Sequence, residues 1–163
     1  MIRIFLADDH TIFRQGLKQI LADEADIDIV GEATDGDELL AQLPSAACDI
    51  VLLDLTMPGR SGISLLREIA AAESRRVVVL SMHEEDQYIV EALKAGAAGY
   101  VTKNSASDQL IQAIRKVVKG ELFVSPSASQ SLIRELRTPH AELPHAKLTP
   151  REREVFDLLG RGR

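Results

Sequence analysis

Two short tetrads without a polar residue, Ile50-Val51-Leu52-Leu53 and Val77-Val78-Val79-Leu80, limit the folds open to this chain more than any other feature. A strand with one wet face alternates apolar and polar side chains. A strand that is apolar at every position must be covered on both faces, which is the situation inside a parallel sheet sandwiched by helices. Ile2–Ala7, Ile27–Ala33 and Ala97–Val101 complete a series of five strand candidates. Apolar stripes of helical period lie between and after them. Phe13, Leu17, Ile20 and Leu21 share a face; Leu39, Leu40 and Leu43 make a shorter stripe; Ile63, Leu66, Ile69 and Ala70 make a third. Tyr88, Ile89, Ala92 and Leu93 form the fourth, and Leu110, Ile111, Ile114, Val117 and Val118 the fifth and cleanest. Ser107 with Asp108 suits the opening of that last helix and Gly120 its close. Strand and helix thus alternate regularly through residues 1–120. The alternation predicts a doubly wound α/β domain with a five-stranded parallel sheet and right-handed crossovers.

The rhythm stops after Gly120. Residues 121–147 hold Pro126, Pro139 and Pro144 and a serine-rich stretch from Ser125 to Ser131, a composition of linkers and short helices. Ser125-Pro126 suits the start of one such helix, with Leu132, Ile133 and Leu136 as its stripe. Residues 148–163 open a further helix: Thr149 at the cap, Pro150 at the first helical position, Glu152 where a capping box wants it. Val155, Leu158 and Leu159 are its apolar stripe, and Gly160 suits its end. One helix cannot bury its own face, so 148–163 is expected to be the truncated start of a second domain.

Composition excludes several classes of function. Apolar residues make up 45% and charged residues 27% of the 163, the ordinary range for a globular chain. Cys48 is alone, which rules out an intramolecular disulfide framework and a thiolate zinc cluster; it reads as a small packing residue. No apolar run has the length of a membrane span, and Asp8-Asp9 interrupt the apolar start too early for a signal peptide, so a cytoplasmic protein is expected. Residues 1–120 carry twelve Lys and Arg against nineteen Asp and Glu, a surface unsuited to non-specific nucleic-acid binding. Residues 121–163 carry seven against six, five of the bases within the last 17 residues. That mildly basic end leaves nucleic-acid contact open, although most charge clusters are simply solvated surface.

In an open parallel sheet, ligands gather beyond the carboxyl ends of the strands. The first predicted strand delivers Asp8 and Asp9 there, the third Asp54, the fourth Ser81, and the fifth Thr102 and Lys103. Crowded carboxylates repel, and a cation relieves the repulsion. A hard divalent ion with oxygen ligands, Mg²⁺ (or Mn²⁺), is the natural partner. A lysine facing a carboxylate beside a hydroxyl donor suits a small tetrahedral oxyanion. Nucleophilic aspartate, Mg²⁺ and lysine act together in phosphoryl transfer through an aspartyl phosphate. Asp54 is the expected nucleophile because it follows the most apolar central run.

At these residues the sequence resembles the two-component response regulators of bacteria, of the NarL/FixJ type with a LuxR-type helix-turn-helix end. The resemblance is carried by Ile4-Phe5-Leu6-Ala7-Asp8-Asp9-His10 and by Asp49-Ile50-Val51-Leu52-Leu53-Asp54-Leu55-Thr56-Met57-Pro58-Gly59. Val79-Leu80-Ser81-Met82-His83 and Lys94-Ala95-Gly96-Ala97-Ala98-Gly99-Tyr100-Val101-Thr102-Lys103 continue it. It implies a flavodoxin-like receiver over 1–120 with strand order 2-1-3-4-5. It further implies that Asp54 accepts a phosphoryl group from a sensor histidine kinase. Asp8, Asp9, Asp54 and the Thr56 backbone carbonyl would then hold Mg²⁺. Lys103 and Ser81 would contact the phosphoryl oxygens, and Ser81 and Tyr100 would form the switch. Homodimerisation on phosphorylation is implied too, and DNA binding only through the complete output domain. Since Leu148–Leu159 matches just the first helix of that domain, the 163-residue chain is expected not to bind a specific DNA site.

Other features carry plainer readings. His83-Glu84-Glu85-Asp86-Gln87 begins like the HExxH zinc motif, but Gln87 stands where the second histidine must be. His10 reads as a helix-start residue beside the acidic pair, and His140 and His145 as exposed linker residues. A stand-alone receiver acting as a phosphorelay or protein-binding switch is the competing function. An Mg²⁺-dependent phosphatase with an aspartate nucleophile ranks lower: such enzymes commonly carry an acid two residues after the nucleophile, where this chain has Thr56.

Overall fold

A computed structural model of the chain describes residues 1–59, 61–71, 75–82, 86–104 and 107–137. Its elements alternate: β1 (Ile2–Ala7), α1 (Thr11–Ala22), β2 (Ile27–Ala33), α2 (Gly36–Gln42) with a 3₁₀ turn at Leu43–Ser45, and β3 (Ile50–Asp54). Then follow α3 (Gly62–Ala70), β4 (Arg76–Ser81), α4 (Asp86–Lys94), β5 (Gly99–Thr102), α5 (Ser107–Val118), β6 (Phe123–Val124) and α6 (Pro126–Arg137). All strands pair in parallel in the order β2-β1-β3-β4-β5-β6.

The all-apolar tetrads sit where their composition demands. Every residue of β3 is buried, as is every residue of β4 after Arg76. Alternate side chains of the central strands feed two separate cores. Phe5, Val51, Leu53, Val77 and Val79 face α2, α3, α4 and α6, whereas Ile4, Leu6, Ile50, Leu52, Val78 and Leu80 face α1 and α5. Each fully buried Leu, Val or Ile contributes roughly 1.5–3 kcal/mol, so the two cores hold the sheet edge rigid beneath the loops above it.

Local signals set the helix ends. Asp35 caps α2 by accepting from the Glu38 amide at 2.8 Å. Gly120 closes the turn after α5 with φ +91°, a backbone region that glycine enters freely. Ser107 is the first residue of α5 rather than a residue ahead of it, with Asp108 in the first turn.

The expected five-stranded sheet needs correction. The sheet has six strands, because β6 adds to β5 through pairs Gly99–Phe123 and Tyr100–Val124. Phe123 donates its amide to Ala98 O at 3.1 Å and Ser125 to Tyr100 O at 3.0 Å. A strand of two residues is too short to display a period of two, so pattern reading passes over it. The helix suggested by Ser125-Pro126 is α6. It lies against α4, with Ala128 and Leu132 buried in the same core as Ile89, Ala92 and Leu93. The helix expected over 149–159, and His83, His140 and His145, lie outside the described residues. Among the described residues no helix is long and apolar enough to cross a membrane.

Candidate functional site

The carboxyl edge of the sheet gathers the predicted groups into one pocket. Asp8 and Asp9 follow β1, Asp54 and Ser81 are the last residues of β3 and β4, and Lys103 follows β5. The Lys103 amide donates to the Ser81 carbonyl at 2.8 Å, which ties the β5 exit to the end of β4. Asp8, Asp54 and Ser81 are buried, and Asp9 is partly exposed.

Lys103 is the centre of the arrangement. Its Nζ lies 2.8 Å from Asp8 Oδ2, 3.2 Å from Asp54 Oδ2 and 3.0 Å from His10 Nδ1. Its side chain is only 3% exposed, so the ammonium is stable there because carboxylates surround it. The Phe13 ring completes the cradle, its centroid 4.5 Å from Nζ. Arg14 fixes the β1 exit by donating to the Asp8 carbonyl at 2.6 Å while its Nε pairs with Glu32 at 3.0 Å.

The two oxygens of Asp54 have different surroundings. Oδ1 accepts from the Thr56 amide at 2.9 Å and from the Thr56 hydroxyl at 2.7 Å. Oδ2 faces Lys103. Burial alone would raise the Asp54 carboxyl; the two Thr56 donors and Lys103 outweigh it and hold the group below the ordinary aspartate range. Asp54 is therefore an ionised carboxylate at neutral pH.

Three carboxylates face one ammonium in this pocket, an excess of two negative charges when His10 is neutral. Asp9 Oδ1 is buried with no hydrogen-bond partner, and Asp8 Oδ2, though 2.8 Å from Lys103, lacks a well-aligned hydrogen bond. Ligand atoms of Asp8, Asp9, His10 and Asp54 all lie within 4.8 Å of one another. Unsatisfied buried oxygens and a twofold charge deficit fit a hard divalent cation.

Strand ends located Asp8, Asp9, Asp54, Ser81 and Lys103 in the sequence. Tyr100 stands apart from the pocket: its ring is fully buried in the core shared by α4 and α6. Of Thr56, the amide and hydroxyl engage Asp54. Sequence reasoning missed the hydroxyl contact, the Phe13 and Arg14 supports, and the way the His10 ring turns into the pocket. The signal for His10 was its place beside the acidic pair.

Comparison with known proteins follows the same lines. The family described as the response regulator receiver domain matches residues 4–115. The response regulator UvrY of Escherichia coli K12 is 34% identical over 164 residues, covering 99% of this chain and 75% of its own. The nitrate/nitrite response regulator protein NarL of the same organism is 36% identical over 162 residues, 98% of this chain and 75% of its own. A two-component response regulator of the LuxR family from Aurantimonas sp. SI85-9A1 superposes with a TM-score of 0.78 at 36% identity, over 82% of this chain and 96% of that one.

Proposed function

This chain belongs to the two-component response regulators, and from that premise we propose that Asp54 accepts a phosphoryl group from a sensor histidine kinase to control a transcriptional, DNA-binding output. The observation that carries the proposal is the buried Asp54 carboxylate, with Oδ1 held by Thr56 and Oδ2 turned to Lys103 beside two further acids. Asp54 Oδ2 attacks the phosphorus of the phosphohistidine. The new O–P bond forms as the P–N bond breaks, and the electron pair stays on the imidazole nitrogen, which takes a proton from water. Asp8, Asp9, Asp54 and the Thr56 carbonyl would hold Mg²⁺ or Mn²⁺, which when bound would supply positive charge against the phosphoryl oxygens. Lys103 passes from the carboxylates to a phosphoryl oxygen, a short move because the ammonium already lies at the acceptor. Self-phosphorylation and slow hydrolysis are the only chemistry assigned: Thr56, a hydroxyl already donated to Asp54, is no general acid for rapid turnover.

Charge transfer to Asp54 then becomes a change of surface. The Ser81 hydroxyl turns to the phosphoryl group and draws the end of β4 inward. Tyr100, on the neighbouring strand, shares its core with Ile89 of α4 and Leu132 of α6, so those helices feel the shift. The α4 and α6 surface then favours homodimerisation and release of the DNA-binding end. The protein works in the cytoplasm, where it meets both its kinase and DNA.

Beryllofluoride tests this reading as a phosphoryl mimic. With Mg²⁺ present it raises the melting temperature of the wild type and leaves Asp54→Asn unchanged. A stabilisation that persists in Asp54→Asn, or that needs no divalent ion, would refute it.

A further inference from the structure

His10 is the pocket residue that the chemistry above leaves unused. It stands at the N-terminal boundary of α1, yet its side chain makes no capping hydrogen bond. The ring turns instead into the acidic pocket. Its Nδ1 lies 3.0 Å from Lys103 Nζ, 3.2 Å from Asp8 Oδ1, 3.6 Å from Asp54 Oδ2 and 3.7 Å from Asp9 Oδ1. The Lys103 ammonium and the Asp8 carboxylate both lie within reach of Nδ1, so the ring tautomer sets whether Nδ1 accepts from the one or donates to the other. Lys103 Nζ donates to Asp54 Oδ2 and lies 2.8 Å from Asp8 Oδ2, so carboxylates and the imidazole nitrogen converge on one point.

Two further oxygens open onto the same space. Asp8, 2% exposed, has Oδ2 without a well-aligned hydrogen bond, and Asp9 Oδ1 has no partner. The donor set is therefore three carboxylates and one imidazole nitrogen, within 4.8 Å of one another. An all-oxygen pocket suits Mg²⁺, which takes carboxylates, water and phosphate oxygens. An imidazole adds little for that ion, whereas Zn²⁺ binds nitrogen well at short range. The ring is 54% exposed, which leaves it room to advance onto an ion.

We propose that His10 is a ligand residue through Nδ1 and biases this pocket toward nitrogen-preferring divalent ions such as Zn²⁺, relative to Mg²⁺. The proposal rests on the reading of the pocket as a cation site and adds a selectivity to it. Because Nδ1 already lies 3.6 Å from Asp54 Oδ2, an ion held by His10 also fixes the imidazole beside the acceptor oxygen.

The test titrates the full chain with Zn²⁺ and with Mg²⁺ by calorimetry at one fixed pH, in the wild type, His10→Ala and Asp9→Ala. Long-range ¹H–¹⁵N spectra of the histidine rings accompany the titrations. The ratio of Zn²⁺ to Mg²⁺ affinity falls at least about tenfold in His10→Ala. Zn²⁺ shifts a ring nitrogen resonance that is missing from the His10→Ala spectrum. An unchanged ratio, or a His10 resonance that Zn²⁺ leaves in place while wild-type Mg²⁺ binding depends on Asp9, would overturn the role of His10 alone. Mg²⁺ binding that is absent from the wild type, or undiminished in Asp9→Ala, would refute the cation pocket and the His10 role with it.

Discussion

Opposite charges in one pocket make neighbouring substitutions act in opposite directions. Asp9 adds a third carboxylate to a site with one ammonium, so Asp9→Ala raises the stability of the metal-free protein by about 1 kcal/mol, the size of a like-charge contact screened as in water. It also abolishes stabilisation by Mg²⁺. Denaturant unfolding with and without the ion measures both, and a fall in metal-free stability would contradict the crowding of these acids. Lys103→Ala does the reverse. It leaves Asp8 and Asp54 buried without their shared cation, and breaking such a pair costs about 3–5 kcal/mol. The strand-end rule made Asp8, Asp9, Asp54, Ser81 and Lys103 legible from sequence, because a parallel sheet brings successive strand exits together whatever the loops do. Phe13, Arg14 and the ring of His10 were not legible in their roles. Their contacts depend on how α1 leaves the β1 exit, and no periodicity encodes that angle.

Helices and strands carry the next level of the design. Glu32 on β2 pairs with Lys18 at 2.9 Å and Arg14 at 3.0 Å, which clips α1 to the sheet edge beside the pocket. The Lys18 hydrogen bond, the largest influence, works with the Lys18 charge and the Arg14 hydrogen bond to hold the Glu32 carboxyl below the ordinary glutamate range against the upward pull of burial. A depressed carboxyl contributes stability above its unfolded value and loses it as pH falls through the folded one. Wild-type stability therefore declines on acidification below the ordinary glutamate value, and Glu32→Gln declines less over the same window; identical acid profiles would exclude the clip. The five main strands and five helices were legible because each spans at least one full period of its pattern. β6 was not, since two residues have no period, and the sheet therefore grew by one strand past the expected boundary at Gly120. Helix α6 was legible from Ser125-Pro126, but its docking on α4 was not. Leu132 is 1% exposed in that contact, so Leu132→Ala costs about 2–4 kcal/mol in urea unfolding. A loosely tethered linker helix would show no loss.

Across the whole molecule, Tyr100 joins strand to helices: it is fully buried in the core that α4 and α6 share, and β6 pairs directly with the strand that carries it. Beryllofluoride with Mg²⁺ should therefore change amide hydrogen exchange in α4 and α6 as well as around Asp54. Tyr100→Ala should keep the change at Asp54 and lose it in the helices. Equal responses of α6 in both proteins would show that the signal bypasses this ring. The excess of acidic charge over residues 1–120 is unsuited to non-specific nucleic-acid binding.

The most direct measurement is intact mass after incubation with a small acyl phosphate, with and without Mg²⁺, in the wild type and Asp54→Asn. Asp54 as the acceptor predicts a gain of one phosphoryl group in the wild type, dependent on Mg²⁺ and absent from Asp54→Asn. A gain of the same size in Asp54→Asn would contradict it.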